Sequence, residues 1–153
     1  MERWQEIVCA SAREWEGTPY VPKGRIKGVG VDCGGLLYEV YNPVCGDFPP
    51  MPDDYSQDWS VHVNNERYLD FIMPFVNEVP EVVIGGFSLF HMAQNFAHAA
   101  IFLDNEKYIH AWGRLRAGRV TTNPVRVMLG LNKQQGNGFP LRHFVPKPEL
   151  IKV

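Results

Sequence analysis

Apolar positions recur at helical spacing from the start of the chain. Trp4, Ile7, Val8 and Trp15, with Ser11, fall on one stripe and predict an amphipathic helix over residues 2–15, ended by Gly17-Thr18-Pro19. A glycine-rich loop follows, with Gly24, Gly28 and Gly30. Leu36, Leu37, Val40, Tyr41 and Val44 then mark a second helix that starts near Asp32-Cys33 and stops before Gly46. Residues 47–60, rich in Pro and Asp, read as loop. A loop of that length is uncommon in a compact domain and often carries function. Tyr68, Leu69, Ile72 and Phe75 predict a third helix, capped by Asn64 or Asn65, with Pro74 near its end.

The pattern changes in the second half. Phe87–Phe90, Ala97–Leu103 and Lys107–Trp112 read as strands, and Asp104-Asn105-Glu106 forms a hairpin turn between the last two. Val120–Thr122, Val125–Leu129 and Leu141–Val145 carry weaker strand signals, and 134–138 is a polar loop. No internal repeat or linker interrupts the chain, so residues 1–153 read as a single domain. Helices followed by a meander of strands make the fold class α+β.

Composition narrows the function classes. Apolar residues make up 45% of the 153 positions, which suits one packed core. The formal charge is -2 and no run of Lys and Arg forms a basic stripe, which argues against a nucleic-acid partner. No stretch approaches the roughly 20 apolar residues needed to span a bilayer. The polar start, Met1-Glu2-Arg3-Trp4-Gln5-Glu6, lacks a following apolar segment, so synthesis in the cytoplasm without a signal peptide is expected. The three cysteines, Cys9, Cys33 and Cys45, form no C-x-x-C pair. Free thiols are therefore expected rather than a disulfide framework or a structural zinc site.

Cys33 has the setting of a nucleophile. It follows the glycine loop and opens a helix, where unpaired N–H groups and the macrodipole favour a thiolate. A free thiol pKa of about 8.5 should fall there. Gly34 and Gly35 leave the thiol sterically open, near backbone donors that can hold an oxyanion. The competing reading is a buried cysteine at a helix start. A base is available in His98, a lone polar group within Ala97–Leu103, and His110 repeats the feature one strand later. If the two share a face, one orients the other and a Cys–His–His chain results. The alternative is two separate, hydrogen-bonded core histidines. Zinc ligation by these three is disfavoured, because no H-E-x-x-H or C-x-x-C spacing is present.

Gly17-Thr18-Pro19-Tyr20 and Gly30-Val31-Asp32-Cys33-Gly34-Gly35-Leu36 resemble the "G-T-P-Y … G-x-D-C-S-G-L" signature of the NlpC/p60 cell-wall peptidases. Ala97-His98-Ala99-Ala100-Ile101-Phe102-Leu103, followed by Tyr108-Ile109-His110-Ala111, resembles that family's "H-V-G-I-Y-L … x-I-H-A". Tyr55-Ser56-Gln57-Asp58-Trp59 and Asn65-Glu66-Arg67-Tyr68-Leu69 are similar to the "Y-x-x-x-W … E-E-R-Y-L" segment of its phage and gene-transfer-agent branch. Two departures stand out: Gly34 replaces the family serine after the cysteine, and Ile84-Gly85-Gly86 replaces the usual "P-G-D".

The resemblance implies a papain-like cysteine peptidase core, with N-terminal helices packed on an antiparallel β-sheet. It implies Cys33 as nucleophile, His98 as base and His110 as orienter, with Tyr20, Asp32 and Gly34 as oxyanion or substrate contacts; Tyr20 also reads as an ordinary buried loop residue. It further implies hydrolysis of the γ-D-glutamyl–diamino acid bond of peptidoglycan stem peptides, without cofactor or metal. For a phage enzyme the expected setting is a virion tail acting at the host wall, with tail-tip proteins as partners. The rival classes are a silent structural tail-tip component and a thiol acyltransferase or amidase on the same scaffold.

Overall fold

The computed structural model describes residues 1–46, 48, 67–92, 95–113, 118–126 and 141–153, with the side chains of 67 and 91–97 set aside. Helix α1 spans Arg3–Arg13, within the predicted 2–15, and buries Trp4, Val8, Cys9 and Ala12; of the predicted stripe, Trp4 and Val8 are buried in it, Trp15 is buried just beyond its end, and Ile7 and Ser11 are half-buried. Its first turn is closed by Gln5, whose side-chain oxygen accepts the Glu2 N–H at 2.6 Å. The glycine loop contains a small hairpin, β1 (Arg25–Ile26) and β2 (Gly30–Val31), which the sequence pattern did not predict. Helix α2 runs Cys33–Cys45 and buries Leu36, Leu37, Val40, Tyr41 and Val44. Gly46 ends it at φ 76°, a conformation that favours glycine.

The expected third helix is shorter than its apolar pattern. Helix α3 covers Arg67–Ile72, and a 3-10 turn over Met73–Phe75 takes over where Pro74 enters. The suggested caps, Asn64 and Asn65, lie outside the described residues, as do 47 and 49–60 of the proline-rich loop. Phe48 is described and buried, stacked on Tyr41 with centroids 5.2 Å apart.

Among the described residues six antiparallel strands form the main sheet: β3 (Val76–Val79), β4 (Phe87–Met92), β5 (Asn95–Phe102), β6 (Lys107–Trp112), β7 (Arg119–Pro124) and β8 (Arg142–Pro146). Their spatial order is β3-β8-β4-β5-β6-β7, so a four-strand meander is extended on one side by β8 and then β3. The β5–β6 turn is held by Asp104, whose Oδ1 accepts the N–H groups of Glu106 and Lys107, both at 2.8 Å. Strand β3 was not predicted: of its four residues only Val76 is buried. The strand expected at Val125–Leu129 is corrected at its start. Pro124 closes β7 without an N–H to donate, and Val125 and Arg126 turn helically. Residues 127–129 lie outside the described set.

The sheet has two buried faces. Phe87, Leu89, Ala99, Ile101, Ile109, Ala111 and Phe144 join α1 and α2 in the main core. The opposite pleat carries a second cluster of Phe90, Ala100, Phe102 and Tyr108. Gly85, at φ 76°, turns the chain into β4 beneath α1; a Cβ there would stand 2.9 Å from the Gln5 Cα. Tyr41 donates its hydroxyl to the Gly85 carbonyl, and Gln5 Nε2 donates to Ile84 O at 2.8 Å. The turn that replaces "P-G-D" thus ties both long helices to the sheet. Among the described residues no helix is long and apolar enough to cross a membrane.

Candidate active site

The start of α2 is built by Asp32. Its backbone is extended, its Oδ1 accepts the Gly35 N–H at 2.7 Å, and its Oδ2 accepts the Lys23 N–H at 2.8 Å. One carboxylate therefore caps the helix and pins the glycine loop above it. Gly35 has no room for a side chain: a Cβ would meet Gly24 O at 2.7 Å. Gly24 is equally tight against the Gly30 carbonyl. Close backbone approach thus accounts for Gly24 and Gly35 without any appeal to flexibility. Asp32, expected among the substrate contacts, has a scaffold task in this structure.

Cys33 is the first residue of α2 and is half-buried. The backbone amides of Ala99, Gly34 and Cys33 itself are directed at its sulfur and draw its pKa down. Burial and, second, the Asp32 carboxylate act more strongly in the other direction, and the thiol is pushed up to about 12. The expectation of a lowered pKa is thus corrected. A helix end favours the thiolate, but desolvating it beside a carboxylate costs more. Gly34 is buried, with its amide at the sulfur.

Tyr20 reaches the same place from the loop. Its N–H donates to Gly118 O at 2.8 Å, and its ring occupies the space that a Cβ on Gly113 would need. Burial, then the proximity of Cys33 and Asp32, holds its hydroxyl well above the usual phenol range, as a neutral group.

Ala99, whose amide meets the sulfur, is the neighbour of His98 on β5. His98 and His110 are brought together: Nε2 of His98 lies 2.7 Å from Nδ1 of His110. Both are almost fully buried, at 7% and 3% exposure. Phe90, Tyr108 and Trp112 wall them in; the Trp112 ring centroid is 5.1 Å from that of His98, and the Tyr108 ring is 5.0 Å from His110. Burial drives the His110 pKa down to about 4, so this imidazole is neutral at physiological pH. On its far side, His110 Nε2 lies 2.8 Å from the amide nitrogen of Asn123 on β7.

Asn123 was missed by the sequence reading. No local motif marks it; only the pairing of β6 with β7, which sets Tyr108 opposite Asn123 and His110 opposite Thr121, brings it to the histidine. Cys9 and Cys45 are buried elsewhere in the core, with thiols raised by desolvation, Cys45 to about 11. His143 bonds Ser88 through Nδ1 on the β8 side of the sheet. His62, Asp53 and Asp54 lie outside the described residues, as does the side chain of His91. Among the described residues no three His, Cys, Asp or Glu side chains group so as to hold a metal ion.

Neither a protein-family model nor a curated protein matches the sequence. Solved structures do match. The NlpC/p60 domain of the peptidoglycan hydrolase SagA is 22% identical with a TM-score of 0.55, over 92% of this chain and 97% of that one. A lipoprotein-like protein of the NLP/P60 family from Staphylococcus aureus is 20% identical with a TM-score of 0.56, over 93% of this chain and 41% of that one. At this identity the likeness concerns architecture: helices packed on an antiparallel sheet. The chain has the papain-like α+β fold of NlpC/p60 domains.

Proposed function

We propose that this chain is a cysteine peptidase of the bacterial cell wall, acting on the γ-D-glutamyl–diamino acid bond of peptidoglycan stem peptides. The carrying observation is the buried His98–His110 pair at 2.7 Å, next to the strand amide that meets the Cys33 sulfur at the start of α2. The likeness to a peptidoglycan hydrolase domain supports the substrate class.

In this reading Cys33 is the nucleophile and His98 its base. Because Nε2 of His98 faces His110, Nδ1 is the ring nitrogen that takes the thiol proton. As the proton moves to Nδ1, the sulfur attacks the peptide carbonyl, and the C–S bond forms while the carbonyl becomes an oxyanion. The amides at the helix start, including that of Gly34, and the neutral Tyr20 hydroxyl donate to this oxygen. His98 then gives its proton to the leaving amine and the C–N bond breaks. Water attacks the thioester, losing its proton to His98, which returns it to the sulfur as the acid product leaves. A raised thiol pKa fits this order of events, since thiolate and imidazolium form together at the moment of attack. His110 keeps the His98 ring in orientation.

The wider setting belongs to the same proposal: a phage tail-associated enzyme acting at the host wall, among tail-tip proteins. The test is digestion of purified peptidoglycan by wild type and Cys33→Ala, with mass spectrometry of the released fragments. Fragments from wild type alone, cut between D-glutamate and the diamino acid, support the reading. Identical fragments from both would remove Cys33 from the mechanism. No fragments from folded wild type on several wall types would leave the chain as a scaffold, and aminolysis products in place of acids would make it a transferase.

A further inference from the structure

His110 is buried and neutral, so it carries one ring proton, and the position of that proton decides what His98 can do. Suppose the amide nitrogen of Asn123 donates to His110 Nε2, across the 2.8 Å contact. The His110 proton then sits on Nδ1 and is donated to His98 Nε2. A neutral His98 must in that case hold its own proton on Nδ1, the nitrogen that has to receive one from the thiol. Now rotate the Asn123 carboxamide by half a turn. Its oxygen accepts from His110 Nε2–H, His110 Nδ1 accepts from His98 Nε2–H, and the Nδ1 lone pair of His98 becomes available. The two orders differ only in which end of one amide faces one imidazole.

We infer that Asn123 is a positioning residue that sets the proton order of the His98–His110 relay, with its carbonyl oxygen toward His110 in the reactive state. A second feature sits at the same amide. The Tyr108 hydroxyl is the one buried side-chain polar atom among the described residues with no hydrogen-bond partner. Asn123 lies opposite Tyr108 in the strand register, with its side chain beside the phenol. An amide oxygen has two lone pairs and can accept from both the imidazole and the phenol. Leaving that hydroxyl unsatisfied is costly.

The inference rests on His98 acting as the base, but its test needs no peptidoglycan. Long-range proton–nitrogen NMR of ring-labelled wild type reads the histidine tautomers directly. The expected result is His110 and His98 both protonated at Nε2. Asn123→Ala, checked for folding by circular dichroism, should mix the tautomers and slow Cys33 alkylation at neutral pH about tenfold, as loss of an outer partner of a functional histidine does. A purely structural role for Asn123 would leave the tautomer signals where they are. Wild type with His110 protonated at Nδ1, or unchanged tautomers in Asn123→Ala, would overturn the inference. Either result is readable if the wall digestion fails, so the two ideas fall separately.

Discussion

Asp32 caps the helix that Cys33 opens, and the same carboxylate raises the pKa of that thiol. The two effects have opposite consequences for a nucleophile: one fixes its position, the other holds its proton. Replacing Asp32 separates them. Asp32→Ala should destabilise the fold by about 1–3 kcal/mol, because the cap is lost and the Lys23 and Gly35 amides lose their acceptor. The Cys33 thiol should become more acidic at the same time. Urea melts and the pH dependence of iodoacetamide labelling measure the two. An unaltered labelling profile would show that the carboxylate does not govern the thiol.

Reactivity should rank the three cysteines by access. Cys33 is half-buried whereas Cys9 and Cys45 are buried, so brief iodoacetamide treatment of the folded protein should label Cys33 first. If His98 accepts the thiol proton, His98→Ala should cut neutral-pH labelling by about tenfold or more. The remaining rate should climb through the alkaline range, toward the raised thiol pKa of about 12. Peptide mapping after timed quenching gives the comparison. Equal rates in wild type and His98→Ala at pH 7 would sever the pair.

Acid should weaken the fold in a defined window. His110 is held down to about 4 in the folded chain by burial, against an unfolded value near 6.5. Between those values the unfolded state binds a proton that the folded state refuses, so stability rises with pH across the window and is lost as pH falls. The loss from this group should be on the order of 3 kcal/mol by pH 4. His143, also lowered by burial, shifts in the same direction. Chemical denaturation at pH 7, 5.5 and 4.5 should show the decline, and His110→Phe should flatten part of it. A flat profile in wild type would mean that His110 titrates normally.

Gly85→Ala tests the turn beneath α1. The substitution forces a side chain into φ 76° and toward the Gln5 Cα, 2.9 Å away. The expected cost is about 1–3 kcal/mol or more. A change within experimental error in urea would show that α1 can shift to make room.

Elements whose register depends on their own residues were readable in the sequence. The α1 stripe, the β5–β6 turn at Asp104 and the glycine loop before Cys33 each carry local signals strong enough to act alone. Strand β3 carries none, because Asn77 and Glu78 face solvent and β8 supplies its pairing from far along the chain. Val125 reads as strand by residue type, yet Pro124 withdraws the donor a ladder needs. In the site, Cys33, His98 and His110 stand out as reactive types in apolar or glycine-rich surroundings. Asn123 does not, since an asparagine before a proline reads as a turn, and only cross-strand pairing reveals its partner. The thiol pKa was misread for a related reason: desolvation is a property of the packed state, and a helix-end argument contains none of it.

The placement of β8 between β3 and β4 bears on the order of assembly. The meander from β4 to β7 joins neighbours through short connections and can close early, bringing both histidines together while the chain is still incomplete. Strand β3 precedes all of it in sequence but has no partner until β8 arrives, and a long loop must close before the seam forms. During that interval the side of β4 later covered by β8 is an open edge, available to any passing strand. The relay can therefore be preassembled on a sheet whose outer two strands are the last part to set, and that edge is where misassembly would begin.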